Sequence, residues 1–184
     1  MANILSSEST LLEHRPGRLP PAALAHWLYN QDSLTQRLIA ASGGEFRVQV
    51  LDQGFARPRP EERRMLGLKE REVALVREVL LLGHDQPWVF ARSIVPLCTL
   101  AGRYRFLRHL ASQPLGALLF NDPSMRRGDF ELMPCTFADL GLSSRVIKHA
   151  VPDQALWGRR SLFYLGKKPL LVAETFLPSF IAQL

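Results

Sequence analysis

The sequence predicts a single domain of the α+β class, in which an antiparallel β-sheet is flanked by helices. Two observations lead to this fold class. Strand-like runs occur in two hairpins, one between Ala74 and Pro96 and the other between Ser161 and Leu177. Helical patterns flank these hairpins instead of alternating with single strands, which argues against a parallel βαβ arrangement.

Length and composition are those of an ordinary globular protein. The 184 residues, 47% hydrophobic and 22% charged, suffice for one domain with a sizeable core. Residues 1–19, which include Pro16 and Gly17, are expected to form a loosely ordered arm of that single domain 1–184. The first residues lack a secretory signal pattern, and no apolar run approaches the about 18 residues of a membrane span.

Cysteine usage and charge narrow the function classes. Cys98 and Cys135 are too few and too far apart for a disulfide framework or a zinc site, which favours a cytoplasmic protein without a metal. The net charge of +6 would permit nucleic-acid binding, but no nucleic-acid recognition motif accompanies it. We therefore expect no nucleic-acid partner. Most paired arginines are interpreted as solvated surface, among them Arg126 with Arg127 and Arg159 with Arg160.

The chain opens with two predicted helices. Pro20 and Pro21 suit a first helical turn, where the proline nitrogen needs no hydrogen-bond partner. The second helix starts at Ser33, which forms a capping-box pattern with Gln36, and it stops at the glycine pair that begins with Gly43.

A strand follows from Glu45 to Phe55, where apolar and polar residues alternate with the period of two of a half-buried strand. The prolines between Arg57 and Pro60 end this strand, and the charged run Glu61 to Arg64 is expected to be a loop or a short helix. The first hairpin comes next, and its turn is predicted at Gly83 to Gln86.

Helical and strand signals then alternate less clearly. Thr99 to Ala111 is predicted as a helix, and Pro114 to Phe120 is a short apolar segment. The weakest pattern lies in residues 121–149, of which Arg126 to Glu131 have strand character. The second hairpin turns through Gly166 to Lys168.

Each strand of the first hairpin carries one arginine on an apolar face. Alternation places Arg77 with Leu75 and Val79 on one side of its strand. If Leu82 pairs with Pro87 and the register continues unbroken, Arg77 lies opposite Arg92 on the same face. Opposed like charges are destabilising, so we expect an anion beside them, either a glutamate or a ligand.

Glu174 is a second anomaly, because alternation places this carboxylate among the apolar residues of the last strand. A structural interpretation of Arg77 is a buried ion pair with Glu174 or Glu78, and the functional one is a ligand contact. For Arg92 the alternative to a ligand contact is a side chain that extends past Trp88 to water.

Six segments in order resemble bacterial chorismate pyruvate-lyase, between about Leu24 and Pro178. They are DSLTQRL from Asp32, LVREVLL from Leu75, PWVFARSIVP from Pro87, PLGALLF from Pro114, LWGRRS from Leu156 and KPLLVAETFLP from Lys168. The resemblance implies a monomeric α+β protein with an antiparallel sheet of about six strands. It also implies a carbon–oxygen lyase that converts chorismate to 4-hydroxybenzoate and pyruvate in ubiquinone biosynthesis, without metal or organic cofactor.

The same resemblance implies roles for individual residues. Arg77 matches the family's ligand-carboxylate partner, and Glu174 matches the glutamate near the product hydroxyl. Leu115 matches the leucine whose backbone contacts ligand. Leu34 takes the hydrophobic contact position of the segment that helps to cover the site. Arg92 matches a further basic residue of the pocket.

Chorismate has two carboxylates, so a site for it should offer two cations in an apolar cavity. We hypothesise that Arg77 holds one carboxylate and that Arg92 assists the other, or the departing enolpyruvate. Glu174 hydrogen-bonds the ring hydroxyl and either takes part in proton transfer or only orients the substrate. Burial and a nearby arginine act on a carboxylate in opposite directions, so the sequence leaves both roles open.

The sequence departs from the family between Phe120 and Leu156, where it is longer. Residues 127–131 approximate the family's Arg-Asp-Phe-x-Glu strand with an inserted glycine, so the extra residues are expected between Glu131 and Trp157. An alternative function is a non-catalytic effector-binding module, since bacterial regulators use the same general fold. Such regulators place a DNA-binding domain first, and residues 1–44 lack a helix-turn-helix pattern.

Overall fold

Six antiparallel strands form one sheet in the computed structural model, which describes residues 19–142, 146–147 and 150–184. The strands follow the order β1-β2-β3-β6-β5-β4. Their bounds are β1 Phe46–Ala56, β2 Ala74–Gly83, β3 Gln86–Pro96, β4 Met125–Thr136, β5 Ala155–Leu165 and β6 Lys168–Phe176. The predicted α+β class and antiparallel sheet are confirmed, whereas the arm predicted for residues 1–19 lies, apart from Leu19, outside the described residues.

Short helices connect and cover the strands. Their bounds are α1 Ala22–Leu28, α2 Leu34–Ala41, α3 Pro60–Leu66, α4 Leu115–Phe120, α5 Phe137–Leu140 and α6 Pro178–Ile181, with a 3₁₀ helix at Gly102–His109. The side chain of Ser33 caps α2 by accepting a hydrogen bond from the Gln36 amide, as predicted. Gly43 adopts φ +58° after the helix, which is the left-handed stop expected there. Among the described residues, no helix is long and apolar enough to cross a membrane.

Helices cover both faces of the sheet. We call the face that carries Arg77 the front and the face that carries Glu78 the back. Helices α1, α2, α4 and α6 and the 3₁₀ helix pack their apolar side chains on the front. Helices α3 and α5 pack on the back. The sheet is therefore a central layer whose two faces are separately enclosed.

The β2–β3 hairpin has the predicted turn but not the predicted register. Leu82 pairs with Pro87 as expected, but the next pair is Leu81 with Val89, which leaves Trp88 as an extra residue in β3. The indole of Trp88 turns to the front and lies against Gly83, where a Cβ atom would come within 2.4 Å of the ring. Because glycine leaves this space open, the bulge buries the indole in the core.

Compared with an unbroken register, the bulge changes which residues of β3 lie opposite those of β2 and on which face of the sheet they lie. Arg77 lies opposite Ser93, and Arg92 lies opposite Glu78 on the back of the sheet. The predicted opposition of Arg77 and Arg92 is therefore wrong. The physical reason is that one inserted residue exchanges the two faces of a strand, because side chains alternate with a period of two.

On the back of the sheet, Arg92 is neutralised by two carboxylates. Its Nε donates to Glu62 Oε1 of α3 at 2.7 Å, its Nη2 donates to Glu62 Oε2 at 3.1 Å, and its Nη1 donates to Glu78. Burial alone would lower the pKa of Arg92, but the hydrogen bonds and charges of Glu62 and Glu78 outweigh it and raise the pKa. This triad attaches α3 to the sheet.

Two other elements differ from the predictions. The helix predicted at Thr99–Ala111 is a shorter 3₁₀ helix, Gly102–His109. The stretch with strand character, residues 126–131, belongs to the longer β4, and the ladder skips two residues between Arg127 and Phe130. The glycine that interrupts the family pattern, Gly128, therefore lies in a bulge.

Candidate active site

A pocket lies between the front of the sheet and the helices α2 and α4. Strands β2, β3, β5 and β6 form its floor, and about 530 Å³ of space, partly continuous with solvent, lies between its walls. Its lining is mainly apolar and comprises Leu34, Val79, Leu81, Ala91, Pro114, Leu115, Leu119, Phe120, Phe163 and Val172. Four charged side chains interrupt this lining, namely the buried Arg77 and Arg159 and the largely buried Arg127 and Glu174. A few charges in an apolar cavity are typical of a small-molecule site.

Arg77 is 2% exposed and makes no ion pair with any described residue. Its Nη2 donates to the carbonyls of Ala111 and Gln113 at 2.8 and 3.1 Å, and its buried Nε has no hydrogen-bond partner. Burial lowers the pKa of Arg77, because a desolvated guanidinium is disfavoured. The structural alternative, an ion pair with Glu174 or Glu78, is therefore not formed, and this cation has no anionic partner among the described residues.

Glu174 does have arginine partners. Arg159 Nε donates to its Oε2 at 2.8 Å, and Arg127 Nη2 lies 4.0 Å from the same oxygen. The second oxygen, Oε1, has no hydrogen-bond partner among the described residues. Since the Glu174 side chain is 16% exposed, this oxygen is free to accept a hydrogen bond within the pocket.

Arg159 connects Glu174 to the end of α1. It lies opposite Glu174 in the β5–β6 ladder, and its side chain is 1% exposed. Its Nη1 donates to the carbonyls of Trp27 at 3.1 Å and Leu28 at 3.2 Å, and also to that of Asn30. A cation is well placed there, because the last carbonyls of a helix have no partner within the helix.

The surface interpretation of Arg159 is wrong, although the sequence contained a signal for it. Strand alternation places Arg159 on the same side as Trp157, Ser161 and Phe163, which is mostly apolar. The same argument that singled out Arg77 applies to this strand. The argument applies to Arg159 only if β5 begins at Ala155, whereas the sequence pattern predicted that this strand begins six residues later, at Ser161.

Arg127 is the third pocket arginine, and its predicted surface position is also wrong. Its Nε donates to Ser161 Oγ at 3.1 Å, its Nη1 donates to the Gln31 carbonyl at 3.2 Å, and its guanidinium lies 5.1 Å from the centroid of the Phe163 ring. Burial and the charge of Arg159 lower the pKa of Arg127, while Glu174 acts in the opposite direction.

The charges of the pocket wall do not cancel. The three guanidinium groups of Arg77, Arg127 and Arg159 face one buried carboxylate, that of Glu174, while Asp32 is exposed at the rim. Two positive charges thus remain without a buried counter-charge among the residues that the structure describes. A dianion with an apolar body fits this arrangement, because unpaired buried charge is costly.

Helices α2 and α4 meet above the pocket. Leu34 begins α2 and Leu115 begins α4, and both side chains are buried in the pocket wall. Gly116 allows the close approach of the two helices, since a Cβ atom there would lie 2.7 Å from Thr35 Oγ1. Of the five residues that the sequence singled out, the structure brings together Leu34, Arg77, Leu115 and Glu174 and places Arg92 elsewhere.

Comparison with known proteins identifies the family of this chain. Residues 7–183 match the family model described as Chorismate lyase. A probable chorismate pyruvate-lyase of Methylococcus capsulatus is 42% identical over 85% of this chain and 95% of that protein. Its counterpart in Azoarcus sp. (strain BH72) is 42% identical over 98% and 96%. Among solved structures, a GntR-family transcriptional regulator from Bacillus cereus shares the fold, with a TM-score of 0.56 at 12% identity over 73% of this chain and 93% of that one.

Proposed function

Because the chain belongs to the chorismate lyase family, we propose that it is a chorismate pyruvate-lyase, a carbon–oxygen lyase that releases pyruvate from chorismate and leaves 4-hydroxybenzoate. The observation that carries this proposal is the pair of uncompensated positive charges in an apolar pocket. Chorismate has a complementary form, since it presents two carboxylates and one hydroxyl around an unsaturated ring.

Arg77 binds the ring carboxylate in this proposal. Its Nε is buried without a partner, so a carboxylate that accepts from it removes the cost of an unsatisfied donor. A guanidinium also matches a carboxylate geometrically, because it offers parallel N–H groups. Nη2 stays on the carbonyls of Ala111 and Gln113, which holds the guanidinium in place.

Glu174 receives the ring hydroxyl at the other end of the pocket. Arg77 aligns with Ser93 and then Val172 across the ladder, and Glu174 lies two residues beyond Val172 on the same face. The Cα atoms of Arg77 and Glu174 are therefore displaced by two inter-strand spacings across the sheet and by two residues along it, which places them about 12 Å apart. This distance leaves room for a six-membered ring between the side chains, with its carboxylate and para hydroxyl at opposite ends.

The reaction breaks the ether bond at ring carbon C3 and the C–H bond at C4, which also bears the hydroxyl. The C–H electron pair becomes the third ring double bond, and the ether pair leaves with enolpyruvate, which tautomerises to pyruvate. Because the ring becomes aromatic, the step is downhill, and the protein contributes orientation and charge stabilisation. The free Oε1 of Glu174 can accept the hydroxyl hydrogen bond and receive the C4 proton.

The proposal is tested by chorismate turnover with two independent readouts, the ultraviolet absorbance of 4-hydroxybenzoate and enzymatic assay of pyruvate. Arg77→Ala should lower kcat/KM by about 30- to 5,000-fold, because truncating a desolvated charge partner costs about 2–5 kcal/mol. Arg47→Ala is the matched control, since Arg47 is exposed and pairs with Asp85 at the surface, away from the pocket. Full activity of Arg77→Ala would refute the site, and a wild-type protein without turnover would refute the activity.

The second candidate function is a non-catalytic effector-binding module, which the shared fold with a transcriptional regulator suggests. Wild-type protein that bound 4-hydroxybenzoate but formed no product from chorismate would support this alternative.

We further propose that 4-hydroxybenzoate made by this protein enters ubiquinone biosynthesis and that the protein acts as a cytoplasmic monomer. Loss of ubiquinone on deletion, restored by added 4-hydroxybenzoate, tests the first part. Sedimentation equilibrium of the purified protein tests the oligomeric state.

A further inference from the structure

Chorismate carries its enolpyruvyl ether on the ring carbon next to the one that bears the hydroxyl. If the hydroxyl lies at Glu174, the second carboxylate must lie at the same end of the pocket. We propose that Arg127 binds the enolpyruvyl carboxylate and that Arg159 is a positioning residue that holds Glu174 beside it. This inference rests on the proposed function and names the second anion site within it.

The contacts of Arg127 suit a carboxylate partner. Two of its nitrogens are anchored, Nε to the Ser161 hydroxyl and Nη1 to the Gln31 carbonyl. Nη2 has no hydrogen-bond partner among the described residues, and its nearest carboxylate oxygen, on Glu174, lies 4.0 Å away. The guanidinium is thus held in a fixed position with an open donor, and the side chain is largely buried, with 8% exposed.

Arg159 is less suited to the substrate, because its charge is already paired with Glu174 at 2.8 Å, although its Nη2, like that of Arg127, has no hydrogen-bond partner among the described residues. Its Nε holds Glu174, and its Nη1 holds the carbonyls that end α1. The charge of Arg159 is therefore balanced by Glu174, which leaves Arg127 as the uncompensated cation at this end. Arg77 is the uncompensated cation at the other end. One cation for each carboxylate is the arrangement that chorismate requires.

Arg92, which the sequence favoured for this role, cannot fill it. Its side chain lies on the back of the sheet, and Glu62 and Glu78 already occupy its donors. The structure thus moves the second carboxylate site from β3 to β4, where the guanidinium of Arg127 lines the pocket.

The test compares two ligands that differ by the enolpyruvyl group. Chorismate has both carboxylates, whereas 4-hydroxybenzoate has only the one assigned to Arg77. Arg127→Met should weaken chorismate binding and lower kcat/KM about 10- to 100-fold, the loss of one charge-assisted hydrogen bond. The Kd for 4-hydroxybenzoate, measured by calorimetric titration, should change less than about threefold. Arg77→Ala should weaken both ligands.

Two further variants separate binding from folding. Arg126→Met is the matched control, because Arg126 is the exposed neighbour of Arg127, donates to the Gly166 carbonyl, lies over the Tyr164 ring and does not line the pocket. Arg127→Lys keeps the charge and should restore part of the lost chorismate affinity. Equal weakening of both ligands in Arg127→Met, or no effect on either, would overturn the assignment. If wild-type protein bound both ligands without turnover, the proposed function would fail while the comparison of Kd values still tested Arg127.

Discussion

The triad on the back of the sheet provides a sharp test of the register, through the variant Arg92→Met. The side chains of Arg92 and Glu62 are 13% and 7% exposed, and that of Glu78 is 22% exposed. Removing the cation leaves two largely buried carboxylates facing each other, and breaking such a buried pair costs about 3–5 kcal/mol. At about 3 °C per kcal/mol for a chain of this length, Tm should fall by roughly 9–15 °C.

Catalysis, in contrast, should be preserved. Arg92 lies on the opposite side of the sheet from the pocket, so kcat/KM for chorismate should stay within about twofold of wild type below the unfolding transition. The assays are thermal unfolding followed by circular dichroism and chorismate turnover at a temperature where both proteins are folded. Arg47→Met is the control, because its exposed pair with Asp85 contributes less than about 1 kcal/mol.

A compensated variant keeps the experiment informative if Arg92→Met folds poorly. Adding Glu62→Gln and Glu78→Gln removes the uncompensated negative charges, and about half of the lost stability should return. An Arg92→Met protein with unchanged Tm and more than tenfold lower kcat/KM would refute the reasoning, because it would place Arg92 in the substrate site.

Two smaller changes test the helices over the pocket and the cysteines. Gly116→Ala should lower Tm by roughly 3–8 °C and raise the KM for chorismate, because its Cβ would meet Thr35 Oγ1 at 2.7 Å. Adding Thr35→Ala to the same chain should reverse the effect, since it removes Oγ1 and leaves Thr35 Cβ at an ordinary 3.6 Å. A defect that persisted in this double variant would refute the clash as the cause. Cys98 is exposed and should react with a thiol reagent at pH 8. Burial raises the pKa of the Cys135 thiol to about 11, so Cys135 should react only after unfolding. Rapid reaction of both thiols in the native protein would contradict the structure.

The charged clusters on the two faces of the sheet differ in whether their charges are balanced. On the back, Arg92 is matched by Glu62 and Glu78, so the cluster needs no ligand. On the front, Arg77 has no anionic partner in the described part of the chain, and its buried Nε has no hydrogen-bond partner there. The difference lies in charge balance, since both arginines are largely buried.

Local patterns in the sequence were enough to predict much of the fold and part of the site. Helix caps, turns and alternating strands are properties of a few neighbouring residues, which is why α1, α2 and both hairpins could be predicted. Alternation also singled out Arg77 and Glu174 as charges on apolar faces, because the face of a residue depends only on its position within its strand. Both side chains do line the pocket.

Only the tertiary structure decided which charges meet. The sequence by itself determined that Arg77 and Glu174 lie on apolar strand faces. The fit of Trp88 over Gly83 decided the register that turned Arg92 to the back, and the adjacency of β4, β5 and β6 brought Arg127 and Arg159 to Glu174. Partners across strands depend on contacts between distant residues, and a single bulge exchanges them, so local periodicity could not reveal them.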